Sequence, residues 1–206
     1  MQKKDTLIFD LGNVIINLKP DDIWQKHDMF TLFDAKKLQE LQSTLFFNNY
    51  ETGKISSADF ILQLKDVAMN VAISDAEIKN AWNALLLDIP MHRIELLYQL
   101  KQTYTLILLS NTNDIHLDFI LDYLQQHFGK NVFDEIFTHQ FYSQKMGLRK
   151  PTKEIYERVL QLANIDATTA YFFDDKPENL IEPKKLGIKT VLVDKDIFLK
   201  ELRLFL

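Results

Sequence analysis

Residues 6–14 read Thr-Leu-Ile-Phe-Asp-Leu-Gly-Asn-Val. The apolar run from Thr6 to Phe9 ends abruptly at Asp10. A run this short, rich in β-branched and aromatic side chains, predicts a strand buried on both faces. The pattern recurs at 105–109 before Ser110, at 170–173 before Asp174 and at 190–193 before Asp194. Helices are predicted between the runs. Residues 115–126 carry helical spacing and stop at Phe128-Gly129, 153–163 follow Pro151-Thr152, and 178–186 end at Gly187, with Pro183 expected to delay or kink that helix. Strand and helix alternate from about 100 to 195. That alternation predicts an α/β protein with a doubly wound parallel sheet.

Residues 18–90 do not alternate and show no convincing strand. Ser56-Ser-Ala-Asp59 and Ser74-Asp-Ala-Glu77 resemble helix starts of the capping-box type, the second more closely. Gly53 sits in the turn before the first of these. The expected division is a core of 1–17 and 91–206, with a small α-helical cap, 18–90, inserted after the first strand.

The 206 residues are 47% hydrophobic and 26% charged, which excludes a disordered chain. Lys and Arg number 24 against 29 Asp and Glu, a net charge of −5, so neither nucleic acid nor an anionic membrane is expected as the main partner. Cysteine is absent, which removes disulfides, thiolate zinc sites and a Cys nucleophile. No apolar run approaches the roughly 20 residues that span a bilayer, and the N-terminus is too short for a signal peptide. A soluble cytoplasmic protein is expected, with no protein partner evident.

Polar residues recur where the apolar runs end: Asp10, Ser110-Asn111 and Asp174-Asp175. Ligands of open α/β sheets bind beyond those carboxyl ends. Neighbouring strands would crowd three carboxylates into one crevice. Two like charges about 4 Å apart repel by roughly 4 kcal/mol at an effective dielectric near 20, so such a cluster needs a cation. Oxygen ligands without nearby His or Cys favour Mg²⁺.

Four segments in order then resemble the haloacid dehalogenase superfamily, whose members are mostly phosphatases. They are Phe9-Asp10-Leu11-Gly12-Asn13-Val14, Leu109-Ser110-Asn111-Thr112, Arg149-Lys150-Pro151, and Phe173-Asp174-Asp175-Lys176-Pro177-Glu178-Asn179. The resemblance covers the whole chain and implies a Rossmann-like core under the helical cap. It implies Asp10 as the nucleophile, forming an aspartyl-phosphate that water hydrolyses. Asp10, Asp175 and the backbone carbonyl of Gly12 would hold Mg²⁺, with Asp174 reaching the ion through water. The Ser110 hydroxyl and the Asn111 N–H would grip phosphate oxygens, and Lys150 would offset the charge of Asp10 and the phosphate. The implied substrate is a small phosphorylated metabolite.

One departure stands out. Most phosphatases of the superfamily carry a second Asp two residues after the nucleophile as general acid and base. Here that residue is Gly12. General acid–base catalysis contributes roughly 10²–10⁴-fold, so its loss favours a leaving group that departs without help. Asp-Leu-Gly-Asn-Val with Ser-Asn-Thr-Asn and Arg-Lys-Pro is similar to a bacterial branch acting on α-glucose 1-phosphate, which makes sugar 1-phosphates the favoured substrates. Glu51 and Lys54, beside the Gly53 turn, are the cap residues to consider as a replacement acid. The alternatives are a metal-independent 2-haloacid dehalogenase, a phosphotransferase and a non-catalytic binding relative. His27, His92, His116, His127 and His139 lack metal spacing and are expected to be structural or on the surface. Hinges between cap and core are expected near 17–20, with Pro20, and near 89–92, with Pro90.

Overall fold

The computed structural model describes residues 5–19, 32–194, 202 and 205. Five parallel strands form one sheet: β1 (Thr6–Phe9), β2 (Thr105–Ser110), β3 (His139–Tyr142), β4 (Ala170–Asp174) and β5 (Lys189–Leu192), in the order β3-β2-β1-β4-β5. The uninterrupted apolar runs follow from this position, because both faces of the sheet are covered. Leu7, Phe9, Leu106, Leu108 and Phe173 pack into a core on one side. Ile8, Ile107, Leu109 and Phe172 pack into a second core on the other.

Edge strand β3 is not among the expected strands. Its residues His139 and Gln140 are only half-buried, and Phe141 and Tyr142 supply its buried end, so it carries no apolar run. β5 begins one residue before the expected 190–193. The helix expected over 178–186 divides into a 3₁₀ turn, Pro177–Leu180, and a short α-helix, Ile181–Lys185, in which Pro183 is buried.

The helical block comprises α1 (Ala35–Gln42), α2 (Phe46–Glu51), α3 (Ser57–Asp66) and α4 (Asp75–Asn83). Among the described residues from 32 to 90 only isolated bridges occur, such as Phe33 with Ala68. Ser56 caps α3 by accepting the Asp59 N–H. Ser74 caps α4 with the complete reciprocal pair, because Glu77 also accepts the Ser74 N–H. These helices bury their own apolar cluster around Phe60, which stacks on Tyr50 and Phe46, and Ile115 joins it from below. Behind the block come α5 (Met91–Thr103), α6 (Asp114–Phe128), α7 (Val132–Ile136), α8 (Ser143–Met146) and α9 (Lys153–Ala163), and the Ile181–Lys185 helix is α10. α6 runs from an Asn113 side-chain cap to a left-handed Gly129.

The two segments joining the block to the sheet lie side by side. The Asn17 N–H donates to the Asp88 carbonyl, the Asn17 carbonyl accepts the Leu87 N–H, and the Lys19 N–H donates to the Leu85 carbonyl. Pro20 and His27 lie outside the described residues. Pro90 caps the start of α5. The turn after α2 presses on the start of α8: a Cβ on Gly53, whose φ is +67°, would fall 2.3 Å from the Gln144 carbonyl oxygen, so only glycine fits there. No described helix is long and apolar enough to cross a membrane.

Candidate active site

The β1–β4 ladder continues one residue past β1, where the Asp10 N–H donates to the Phe173 carbonyl at 2.9 Å. Asp10 is thereby fixed at the carboxyl end of the central strand, with Asp174 at the end of β4 and Ser110 at the end of β2. Asp10, Asp174 and Asp175 each bring a carboxylate oxygen within 4.8 Å of the others. Lys150 is 1% exposed, and its ammonium lies 2.7 Å from both Asp10 and Asp174.

The two acids of the Asp174-Asp175 pair have different surroundings. Asp174 is fully buried and accepts from Lys150, from the Lys176 N–H at 2.9 Å and from both contacts of the Asn179 amide at 2.9 and 3.0 Å. Both its oxygens are engaged by the protein, so Asp174 holds Lys150 in place. Among the described residues Asp175 accepts one hydrogen bond, from the Asn13 amide at 2.9 Å. The same Asn13 side chain accepts the Leu18 N–H at 3.2 Å, and its backbone is left-handed with φ of 54°.

Burial pushes the Asp10 carboxyl up to about 7, with Lys150 pulling against that push and the Asp174 charge adding to it. Burial raises Asp175 as well, and the Asn13 bond opposes it. Burial works against the Lys150 charge, but Asp10 and Asp174 outweigh it and hold the ammonium above its ordinary pKa. Three carboxylates therefore meet one ammonium. The excess is negative, the donors are all oxygen, and the Gly12 backbone lines the same cavity of about 200 Å³. That donor set fits a hard divalent cation of the magnesium type.

The loop carrying Lys150 is clamped by Asn111, whose amide donates to the Lys150 carbonyl at 2.9 Å and accepts its N–H at 2.8 Å. Arg149, next to it, makes an ion pair with Glu51 at the end of α2, with contacts of 2.7 and 2.9 Å. This contact ties the helical block to the Lys150 loop. Lys54 is exposed and does not line this cavity. Asn13, Asn179 and Arg149 stand inside the quoted segments, but their type and spacing carry no sign of these contacts. His116 is buried and structural: its Nε2 lies 3.1 Å from the Trp82 carbonyl and its Nδ1 3.2 Å from the Asn113 amide.

The haloacid dehalogenase-like hydrolase family matches residues 4–187. The chain belongs to this family. Within it, the haloacid dehalogenase-like chain is 27% identical to a D-ribitol-5-phosphate phosphatase of Bacteroides thetaiotaomicron over 186 residues, 89% of each protein. It is 28% identical over 185 residues to a sesquiterpene phosphatase of Aspergillus oryzae, covering 88% of this chain and 85% of the other. A haloacid dehalogenase family enzyme of Bacteroides thetaiotaomicron, solved with magnesium and inorganic phosphate, superposes with a TM-score of 0.80 at 31% identity over 93% of this chain and 95% of its own.

Proposed function

We propose that this chain is a magnesium-dependent phosphatase of small phosphorylated metabolites, working through an aspartyl-phosphate on Asp10. The observation that carries this reading is Lys150 set between Asp10 and Asp174 in a cavity that Asp175 also lines. Two named relatives are phosphatases, and a similar solved enzyme holds magnesium and phosphate.

Asp10, Asp175 and the Gly12 carbonyl would hold the ion. When bound, it neutralises phosphate charge and lets an anion approach an anion. The Asp10 carboxylate attacks phosphorus, an acyl-phosphate bond forms, and the ester P–O bond breaks to release an alkoxide that takes its proton from solvent water. Water then cleaves the acyl-phosphate and returns Asp10. Lys150 balances the charge on Asp10, and Asp174 keeps that ammonium in position. The Ser110 hydroxyl and the Asn111 N–H hold phosphate oxygens. Residues 18–90 act as the cap over a core of 1–17 and 91–206, and their separate apolar cluster and paired crossing segments support that division. Gly12 supplies no proton, so esters of acidic alcohols, glucose 1-phosphate among them, are the substrates this chemistry favours.

The test is phosphate release from p-nitrophenyl phosphate with Mg²⁺ and with EDTA. Activity that needs the metal supports the reading. Undiminished activity in chelator, or halide release from a 2-haloacid without metal, would replace it.

A further inference from the structure

A second cavity of about 320 Å³ opens above the first and shares Gly12, Leu18, Asn111, Arg149 and Lys176 with it. It lies where the alcohol of a phosphate ester must go if the phosphoryl group sits over Asp10. Its apolar lining comes from Leu11, Ile16 and Ile120 of the core side and from Phe47, Leu85 and Leu86 of the helical block. Trp82 closes one wall, with the rings of Phe47 and His116 parallel to it.

The polar groups of this wall are mostly occupied. The Asn113 side chain accepts from the Trp82 indole at 3.3 Å and from the His116 N–H at 3.0 Å, and its amide faces His116 Nδ1. His116 Nε2 is engaged by the Trp82 carbonyl. Both ends of the Asn111 amide go to Lys150, and Arg149 goes to Glu51. Burial lowers the His116 pKa to about 4, so this ring is neutral and offers no charge. Among the described groups that remain, the Ser110 and Thr112 hydroxyls, one Glu51 oxygen, the third Arg149 nitrogen and Lys176 belong to the lining. Arg149 and Lys176 also border the phosphate side, and Ser110 is assigned to the phosphate, which leaves Thr112 and Glu51 for the alcohol. A polyol would bury several hydroxyls here against one or two partners. A buried hydroxyl without a partner weakens binding by about five- to a hundredfold.

We infer that the alcohol portion of the substrate is predominantly apolar, an alkyl, isoprenoid or aryl group of up to about ten carbons, rather than a sugar or a polyol. The size follows from volume: a dry cavity of about 150 Å³ holds one benzene ring, and this one has about twice that room. The named relatives divide between a polyol phosphate and a terpene phosphate, so they do not decide the matter. The inference rests on the phosphatase reading but adds a separate axis to it. Gly12 selects for the acidity of the leaving alcohol and the upper cavity for its apolarity. An aryl phosphate satisfies both, and glucose 1-phosphate only the first.

The test compares inorganic phosphate release, with Mg²⁺, from butyl, hexyl and glucitol 6-phosphates. All leave as primary alcohols, and the polyol is the more acidic, so any bias runs against the inference. We expect kcat/KM to rise about fourfold for each added methylene, and hexyl phosphate to exceed glucitol 6-phosphate by at least about tenfold. Leu86→Asn should lower the hexyl-to-glucitol ratio several-fold, and a ratio is unaffected by the fraction of protein that folds. As a binding readout, hexylphosphonate should shift Trp82 emission in a Trp24→Phe background while methylphosphonate does not. Equal or better turnover of glucitol 6-phosphate, or the same emission response to both phosphonates, would overturn the inference and leave the phosphatase reading standing. No phosphate release from any ester would overturn both.

Discussion

The Leu18 side chain occupies the space over Gly12: a Cβ built on residue 12 would lie 2.8 Å from Leu18 Cδ1. The position that carries the general acid in related phosphatases is thus both empty of a carboxyl and filled by a neighbour. Leu18 Cδ1 is the far end of a flexible side chain, so an Asp at 12 displaces it rather than the backbone. We expect Gly12→Asp to raise turnover of methyl phosphate modestly. Gly12→Asp combined with Leu18→Ala should raise it by about 10²-fold or more. Hydrolysis of p-nitrophenyl phosphate, whose leaving group needs no proton, should change little in both. Phosphate release measured on the two esters checks this. Unchanged methyl phosphate turnover would show that another group donates the proton.

Asp10→Asn keeps the shape of the side chain and removes its nucleophilic charge. It should abolish phosphate release while the thermal transition stays cooperative. Residual turnover above about a hundredth of the parent would mean that the nucleophile lies elsewhere.

Asp174→Ala removes one partner of a fully buried ammonium and leaves the Asn179 amide without its acceptor. Removing one side of a buried pair costs about 3–5 kcal/mol. Asp174→Asn, which keeps the volume, should cost less stability yet still lower kcat by misplacing Lys150. Chemical denaturation and steady-state kinetics on both variants separate the two effects.

The Arg149–Glu51 pair is about 30% exposed on each side, so its effect on stability is screened and falls below about 1 kcal/mol. Its value is positional, because it joins α2 to the loop of Lys150. A double-mutant cycle of Arg149→Gln and Glu51→Gln should show small coupling in denaturation and a larger coupling in kcat/KM.

His116 is held neutral, with its pKa lowered by burial to about 4 despite the opposing Trp82 carbonyl. The unfolded chain takes up a proton at this residue near pH 6.5, and the folded chain does not until about pH 4. Stability from this residue is therefore complete above about pH 6.5 and is lost as the pH falls toward 4, by about 3 kcal/mol in all. Melting curves of His116→Gln should fall less steeply with acid across that window than those of the parent chain.

The strands buried on both faces were legible because burial on two sides writes a continuous apolar run, as in Leu7-Ile8-Phe9 and Tyr171-Phe172-Phe173. β3 was not, since an edge strand with His139 and Gln140 half-exposed has no such constraint. Helix ends were legible at Ser56 and Ser74, whose side chains cap their own backbone, and at Gly129, whose left-handed backbone ends α6. The residues that gather at the strand ends could be named from position alone. Their supports could not. Arg149 and Glu51 are 98 residues apart, and Asn13 and Asp175 are 162 apart. Contacts of that range are set by the sheet order, which no local pattern encodes. The upper cavity is invisible for the same reason, as its walls come from the strand ends, α2, α4 and α6 together.

Asn13 serves two masters with one amide, giving one hydrogen bond to Asp175 and taking one from the Leu18 N–H, on a left-handed turn. Aspartate would set a charge against Asp175, glycine would drop both contacts, and a longer amide would overshoot. The position admits a single chemical solution, so it is a poor place to tune the protein and a sensitive one at which to damage it.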